Sequence, residues 1–122
     1  MAKQRHDPAI ITDLAARLTA GAEIPLDEIA QAARAVTGLM AQRYPGATIE
    51  VRVPPVAAVQ VGAIDGGSSH RRGTPPNVVE LAPLTMIELA AGLKTWDEAV
   101  EAGLIRYSGA HARDVAAMLP LI

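Results

Sequence analysis

The last third of the chain carries its most constraining pattern. Two capping boxes occur there in succession, each a threonine three residues before a glutamate, whose side chains pair with free N–H groups at a helix start: Thr85/Glu88 and Thr95/Glu98. Gly92 and Gly103 stand where each helix would end. The segment therefore predicts two short helices, then a short strand over 105–108 and a closing helix over 112–119.

Residues 1–46 predict two amphipathic helices. The first begins at Asp7-Pro8, since aspartate is a preferred cap and proline is tolerated at the first helical position. Its apolar residues recur at helical spacing: Ile10, Ile11, Leu14, Ala15 and Leu18. Gly21 is placed to end it. The second helix begins after Pro25 and stops at Pro45-Gly46, with a buried stripe of Ile29, Ala33, Val36 and Met40.

The pattern then changes to that of strands. Residues 48–53 alternate between polar and apolar, which is typical of a strand with one solvent-exposed face. After Pro54-Pro55, residues 56–61 are more uniformly apolar, which predicts a strand buried on both faces or facing a cavity. A loop over 64–76 precedes a third strand over 77–81. Because short turns join antiparallel neighbours, we expect a mostly antiparallel sheet covered by helices, an α+β fold.

Composition and charge exclude several classes of function. The net charge of −2 argues against non-specific nucleic-acid binding, which needs a dominant basic field. The chain has no cysteine, so it has no thiolate nucleophile or cysteine-ligated zinc. Its start is polar, without the apolar stretch of a signal peptide, and no apolar run is long enough to span a membrane. We therefore expect a bacterial-type cytoplasmic protein without membrane insertion.

Catalytic and metal-binding patterns are weak. Ser69 and His70 are adjacent, with Asp65 nearby, but adjacent residues on a loop rarely hold the geometry of a nucleophile and its base, and the motif of a nucleophile elbow is absent. The three histidines do not have the spacing of metal ligands: His6, His70 and His111. The sequence therefore predicts no catalytic residue, no metal and no cofactor.

One basic cluster, His70-Arg71-Arg72, permits two interpretations. It is either a solvated loop or a contact for an anion or lipid headgroup, although headgroup sites usually carry four or more basic residues. The chain is also poor in aromatic side chains, with one tryptophan, two tyrosines and no phenylalanine. That composition fits either a small alanine-rich core or an interior that leaves room for a ligand.

The C-terminal segments resemble the sterol carrier protein 2-like (SCP2-like) family over about Thr48 to Leu119. The resemblance is carried by a helix ending in glycine, a helix with an alanine and a strand ending in glycine: Leu89-Ala90-Ala91-Gly92, Trp96-Asp97-Glu98-Ala99 and Gly103-Leu104-Ile105-Arg106-Tyr107-Ser108-Gly109. The segment from Arg72 to Glu80 resembles short, stand-alone bacterial relatives. The resemblance implies an SCP2-like sheet of four to five strands, covered by helices, with an apolar cavity between them.

We therefore expect residues 1–122 to form one SCP2-like domain, with a helical pair over 1–46 and the sheet and C-terminal helices over 47–122. The expected function is non-catalytic binding or carrying of a lipid or other apolar small molecule. The candidate cavity wall consists of apolar side chains from the sheet and the helices: Val59, Val61, Val79, Met86, Leu89, Leu93, Trp96 and Met118.

Two other interpretations stay open. In the first, the core is filled by its own side chains, and an exposed apolar face binds a protein partner or forms a homodimer. The second is an enzyme, which would require two convergent polar groups in one cleft. The candidates for such a pair are Asp65, His70, Glu80 and Tyr107.

Overall fold

The computed structural model describes residues 7–64 and 76–122. Within these ranges the chain forms five helices and four strands, in the predicted order: α1 (Ala9–Thr19), α2 (Leu26–Arg43), β1 (Ile49–Val53), β2 (Ala57–Val61), β3 (Asn77–Leu81), α3 (Pro83–Ala90), α4 (Trp96–Glu101), β4 (Ile105–Ser108) and α5 (Asp114–Met118).

The four strands form one mixed sheet in the order β2-β1-β3-β4. β1 pairs antiparallel with β2, and β3 pairs antiparallel with β4. The central pair, β1 and β3, is parallel. The α+β class and the SCP2-like arrangement predicted from the sequence are thus confirmed, and the parallel pair at the centre is an addition to the prediction.

The helices lie against one face of the sheet. On that face β1 contributes Ile49, Val51 and Val53, all without exposed surface. Because side chains alternate along a strand, Glu50 and Arg52 point to the opposite face, where they are partly exposed. α2 packs on β2, and α3 packs on α2. The hydrophobic core therefore lies between the sheet and the helices.

The prediction that residues 56–61 form a strand buried on both faces is wrong. In β2, Val61 is buried, Val59 and Ala57 are half-buried, and Ala58 and Gln60 are exposed. β2 lies at the edge of the sheet, so only its side chains that face the helices are shielded from solvent. Alanine fits the exposed face of such a strand as well as a buried one, and its presence misled the prediction.

The predicted capping box at Thr85 is also wrong. α3 begins two residues earlier at Pro83, and Thr85 is a buried residue inside the helix. Ala82 has the extended backbone of a residue before a helix, and Pro83 fits the first helical position because its missing N–H would have no partner there. Proline therefore determines this helix start without a side-chain cap.

The second capping box is confirmed. The Glu98 backbone N–H donates to Thr95 Oγ1 at 3.1 Å, and the Thr95 N–H donates to Glu98 Oε1 at 2.9 Å. The pKa of Glu98 is lowered because its carboxylate accepts from the Thr95 backbone N–H and, second, interacts with the Thr95 side chain, which favours the ionised form. The box fixes the start of α4 and so the position of Trp96, its first residue.

Replacing Thr95 with alanine is expected to lower the free energy of unfolding by about 1 kcal/mol, because the methyl side chain of the variant cannot accept the Glu98 N–H. Chemical denaturation of the two proteins measures the difference. Thr19→Ala, at an exposed threonine at the end of α1, is the control and should change stability by less than about 0.5 kcal/mol. Equal effects of both substitutions would contradict the role of the cap.

An ion pair between Arg17 and Glu28 joins α1 to α2. The Arg17 guanidinium donates to both carboxylate oxygens of Glu28, at 2.8 and 3.0 Å, and to Asp13 at 3.3 Å. The hydrogen bond from Arg17 lowers the pKa of Glu28, and the same bond raises the pKa of Arg17. A bidentate pair of this kind fixes the relative orientation of the two helices more than it adds energy, because both side chains are partly exposed.

The Arg17–Glu28 pair predicts a pH dependence. A carboxyl with a lowered pKa stabilises the fold above its ordinary value of 4.5, and that contribution is lost as the pH falls through the lowered value. Glu28→Gln should therefore reduce the melting temperature at pH 7, and the gap to wild type should close in acid. Glu23→Gln, in the exposed loop before α2, is the control. A gap that stays constant with pH would contradict this assignment.

Candidate functional site

Most of the predicted wall residues lie in the hydrophobic core. Six of the eight are buried side chains of one cluster between the sheet and the helices: Val61, Val79, Met86, Leu89, Trp96 and Met118. Val59 is half-buried at the sheet edge, and Leu93 is 44% exposed on the turn after α3. The structure thus brings the six together and leaves Leu93 on the surface.

The centre of this core is tightly filled. Val61, Val79 and Met86 have 0% exposure, and a cavity able to hold a water molecule would leave accessible surface on the side chains that line it. Within the described part of the chain, no such space adjoins these three side chains. A ligand among them would have to displace neighbouring side chains, so a ready-made opening has to be sought nearer the surface.

An open cleft of about 380 Å³ lies between α3, α4 and the end of the chain. We call it the α3–α4 cleft. Its volume lies within the range of small-molecule sites. Its floor is apolar and its rim is polar, and its lining residues are Leu89, Gly92, Lys94, Thr95, Trp96, Asp97, Ala116, Leu119 and Pro120. Two predicted wall residues, Leu89 and Trp96, therefore meet in one depression next to the core.

The end of the chain forms one wall of the cleft. We call residues 119–122 the C-terminal strap. The Leu121 N–H donates to the carbonyl oxygen of Ala90 at 2.9 Å, and the Arg43 guanidinium donates to the carbonyl oxygen of Leu121. The Leu121 side chain is buried. The strap is thus attached to the ends of α2 and α3, which holds Leu119 and Pro120 against the cleft.

The cleft has an aromatic side and a rim with charges of both signs. The rings of Trp96 and Tyr107 are 5.6 Å apart and tilted by 55°, a favourable arrangement for an aromatic pair. At the rim, Lys94 Nζ lies 3.7 Å from Glu88 Oε1, and Asp97 is exposed. The floor can therefore exclude water from an apolar group, while the mixed rim does not select the sign of a charge.

Sequence reasoning missed Ala116, Leu119 and Pro120 as lining residues. The strap is attached beside the cleft by two long-range hydrogen bonds and a buried leucine, which have no local pattern in the sequence. The only available signal was the apolar run Leu119-Pro120-Leu121-Ile122 after the last helix. That helix is also shorter than predicted, since α5 covers only Asp114–Met118.

The β3–β4 side of the sheet carries polar side chains on both faces. Glu80 and Tyr107, two candidates for an enzymatic pair, border the same open depression at the β3–β4 side of the sheet. Tyr107 is paired with Val79 and Glu80 with Arg106, so the side chains of Tyr107 and Glu80 point to opposite faces of the sheet. The two polar groups therefore do not converge on one reacting atom.

Several other candidates lie outside the described residues: Asp65, Ser69, His70, Arg71, Arg72 and His6. His111 is described, and its Nδ1 lies 3.4 Å from Asp114 Oδ2. In the described ranges, no three residues of the histidine, aspartate and glutamate types are grouped so that they could hold a metal ion. Over the same ranges, none of the helices has both the length and the apolar character needed to cross a bilayer.

Comparison with known proteins extends these observations. A sequence model for the family described as bacterial SCP ortholog matches residues 26–121. The match includes α2, the whole sheet, the α3–α4 cleft and most of the C-terminal strap. A search among curated proteins found no match.

Proposed function

Since the chain belongs to the family of bacterial SCP orthologs, we propose that it binds a lipid or another apolar small molecule without catalysing a reaction, and that the α3–α4 cleft is where the ligand enters. The observation that carries this proposal is the apolar floor of the cleft beside the core, where Leu89 and Trp96 meet Leu119 and Pro120.

The physical basis is the removal of apolar surface from water. Each Å² of apolar surface buried in the cleft contributes roughly 25 cal/mol to binding. The polar end of an amphiphile would stay at the rim beside Thr95 and Lys94, in contact with water. The ligand needs no counter-charge, because the rim carries both signs.

The proposal also includes the predicted wall residues that are buried in the core. Met86 and Met118 are buried in the same core cluster as Leu89 and Trp96, which line the cleft. Methionine side chains are unbranched and adapt to irregular shapes, so they can make room for an apolar chain at moderate cost. Val61 and Val79 belong to the same cluster on the sheet, whereas Val59 is half-buried at the sheet edge and Leu93 is exposed.

Trp96 provides a direct test, because it is the only tryptophan of the chain. A brominated fatty acid such as 11-bromoundecanoate quenches tryptophan fluorescence on contact. We expect saturable quenching of Trp96, with undecanoate itself competing for the site. Quenching that rises linearly without saturation, or that undecanoate does not reduce, would contradict a binding site at the cleft.

A matched pair of variants in α5 localises the site. Ala116 lines the cleft, whereas its neighbour Ala117 is exposed and does not line it. Ala116→Leu should weaken binding about tenfold, since a leucine there occupies the space of about two ligand methylenes at roughly 0.8 kcal/mol each. Ala117→Leu should leave the affinity unchanged. Equal affinities of the two variants would place the ligand elsewhere.

A second candidate function is an interaction module without a ligand. Its support is the filled core, since Val61, Val79 and Met86 have no accessible surface in the structure. A protein of this kind would show no saturable quenching of Trp96. It would instead use an exposed surface or a sheet edge to bind a protein.

A further inference from the structure

Along β2, the described residues include no charge, proline or bulge of the kind with which proteins often block edge pairing. A free edge strand offers unpaired N–H and C=O groups to any other strand, and natural edges are protected by charges, prolines, bulges or short length. β2 contains neither a charged residue nor a proline. Its five residues pair one-to-one with β1, from Val61 opposite Ile49 to Ala57 opposite Val53. Among the described strands, none pairs with its other side.

The opposite edge of the sheet provides a comparison. β4 has only four residues, and it includes Arg106, whose side chain is 86% exposed. A charge on a short strand is a usual protection of an edge. Of the two edges, β2 is therefore the one suited to accept another strand.

The partner that fits this edge best is a second copy of β2. On the helix-facing side, Val79, Val51 and Val59 are successive neighbours across the sheet, and the first two have 0% exposure. Val59, at the edge, is only half-buried. A second Val59 beside it would continue this row and cover the side chain that the edge leaves exposed.

We infer that two copies of the chain associate through β2, antiparallel, about a two-fold axis at Val59. Val59 is the middle residue of the strand, so this register pairs all five residues. It places Ala57 opposite Val61 and Ala58 opposite Gln60, and no like charges are opposed because the strand has none. The dimer then has one continuous sheet, to which each copy contributes its four described strands. The inference is independent of ligand binding, and either can fail alone.

The absence of cysteine from the chain makes this register testable by disulfide trapping. Val59→Cys places a single thiol at the proposed two-fold axis, opposite its own copy. Under mild oxidation this variant should form a covalent dimer rapidly. Ser108→Cys, at an exposed residue on β4, is the matched control and should remain monomeric under denaturing electrophoresis.

Sedimentation velocity provides the second measurement. The wild-type protein should sediment as a species of twice 12.7 kDa. Val59→Lys opposes two like charges at the axis and should return the mass to 12.7 kDa, whereas Ser108→Lys should not. A monomeric wild type throughout the accessible concentration range would overturn the inference. A dimer that survives Val59→Lys, with trapping no faster at residue 59 than at 108, would overturn it as well.

Discussion

Replacing Asn77 with alanine is expected to lower the free energy of unfolding by about 3 kcal/mol, since one buried and one partly buried backbone group lose their hydrogen-bond partner at roughly 1–3 kcal/mol each. Asn77 is 3% exposed at the start of β3. Its Nδ2 donates to the Thr48 carbonyl oxygen at 2.9 Å, and its Oδ1 accepts the His111 N–H at 2.8 Å. One side chain thus connects the residue before β1 with the turn after β4.

The neighbouring backbone supports this role for Asn77. A Cβ atom at Gly109 would lie 2.3 Å from Asn77 Oδ1 and 2.7 Å from the Pro76 carbonyl oxygen. Gly109 also has a φ of 104°, which other residues rarely adopt. Glycine at this position therefore lets the β4–α5 turn approach the amide closely enough for His111 to donate to it.

Chemical denaturation of Asn77→Ala measures this effect. The matched control is Ser108→Ala, at a polar residue on β4 opposite Val78, where the side chain is exposed. We expect the control to change the free energy of unfolding by less than about 0.5 kcal/mol. If Asn77→Ala were as stable as the control, the two hydrogen bonds would not hold the sheet together as described.

Replacing Met86 with alanine is expected to lower the free energy of unfolding by about 3 kcal/mol, because it removes apolar contacts and leaves a cavity in a filled core. Met86 lies on the buried face of α3 and has 0% exposure. The control is Leu84→Ala on the same helix, where the side chain is 38% exposed. It should lower the free energy of unfolding by less than about 1 kcal/mol.

The same variant has a second readout that reports on space in the core. A dry apolar cavity can bind a small apolar molecule such as benzene. Benzene should therefore raise the melting temperature of Met86→Ala more than that of the wild-type protein. If benzene stabilised both equally, the wild-type core would already contain accessible space next to Met86, which would contradict its filled state.

Local patterns in the sequence predicted the helix boundaries well where one or two neighbouring residues determine where a helix begins or ends. Thr95 with Glu98, Pro25 before α2 and Gly21 after α1 each act within one helical turn, and the structure has these boundaries. Thr85 with Glu88 has the same spacing but no capping role, because Pro83 begins the helix first. When two local signals compete, spacing alone does not identify the one that prevails.

The pairing of strands that are distant in the sequence was harder to predict. The parallel alignment of β1 with β3, and the edge position of β2, depend on how distant segments meet, and no local pattern encodes that. The cleft shows the same limit. Leu89 and Trp96 were predicted from apolar helix positions, whereas Leu119 and Pro120 line the cleft only because Leu121 is attached to Ala90 at the end of α3.

Native mass spectrometry of the freshly purified protein tests directly whether this chain binds an apolar small molecule. Solvent extraction and identification of any released molecule would follow. We predict a mass excess over the 12.7 kDa chain that corresponds to one apolar molecule per chain and that is smaller in Ala116→Leu than in Ala117→Leu. Protein that carries no such molecule, and that takes up none when incubated with fatty acids, would contradict the claim.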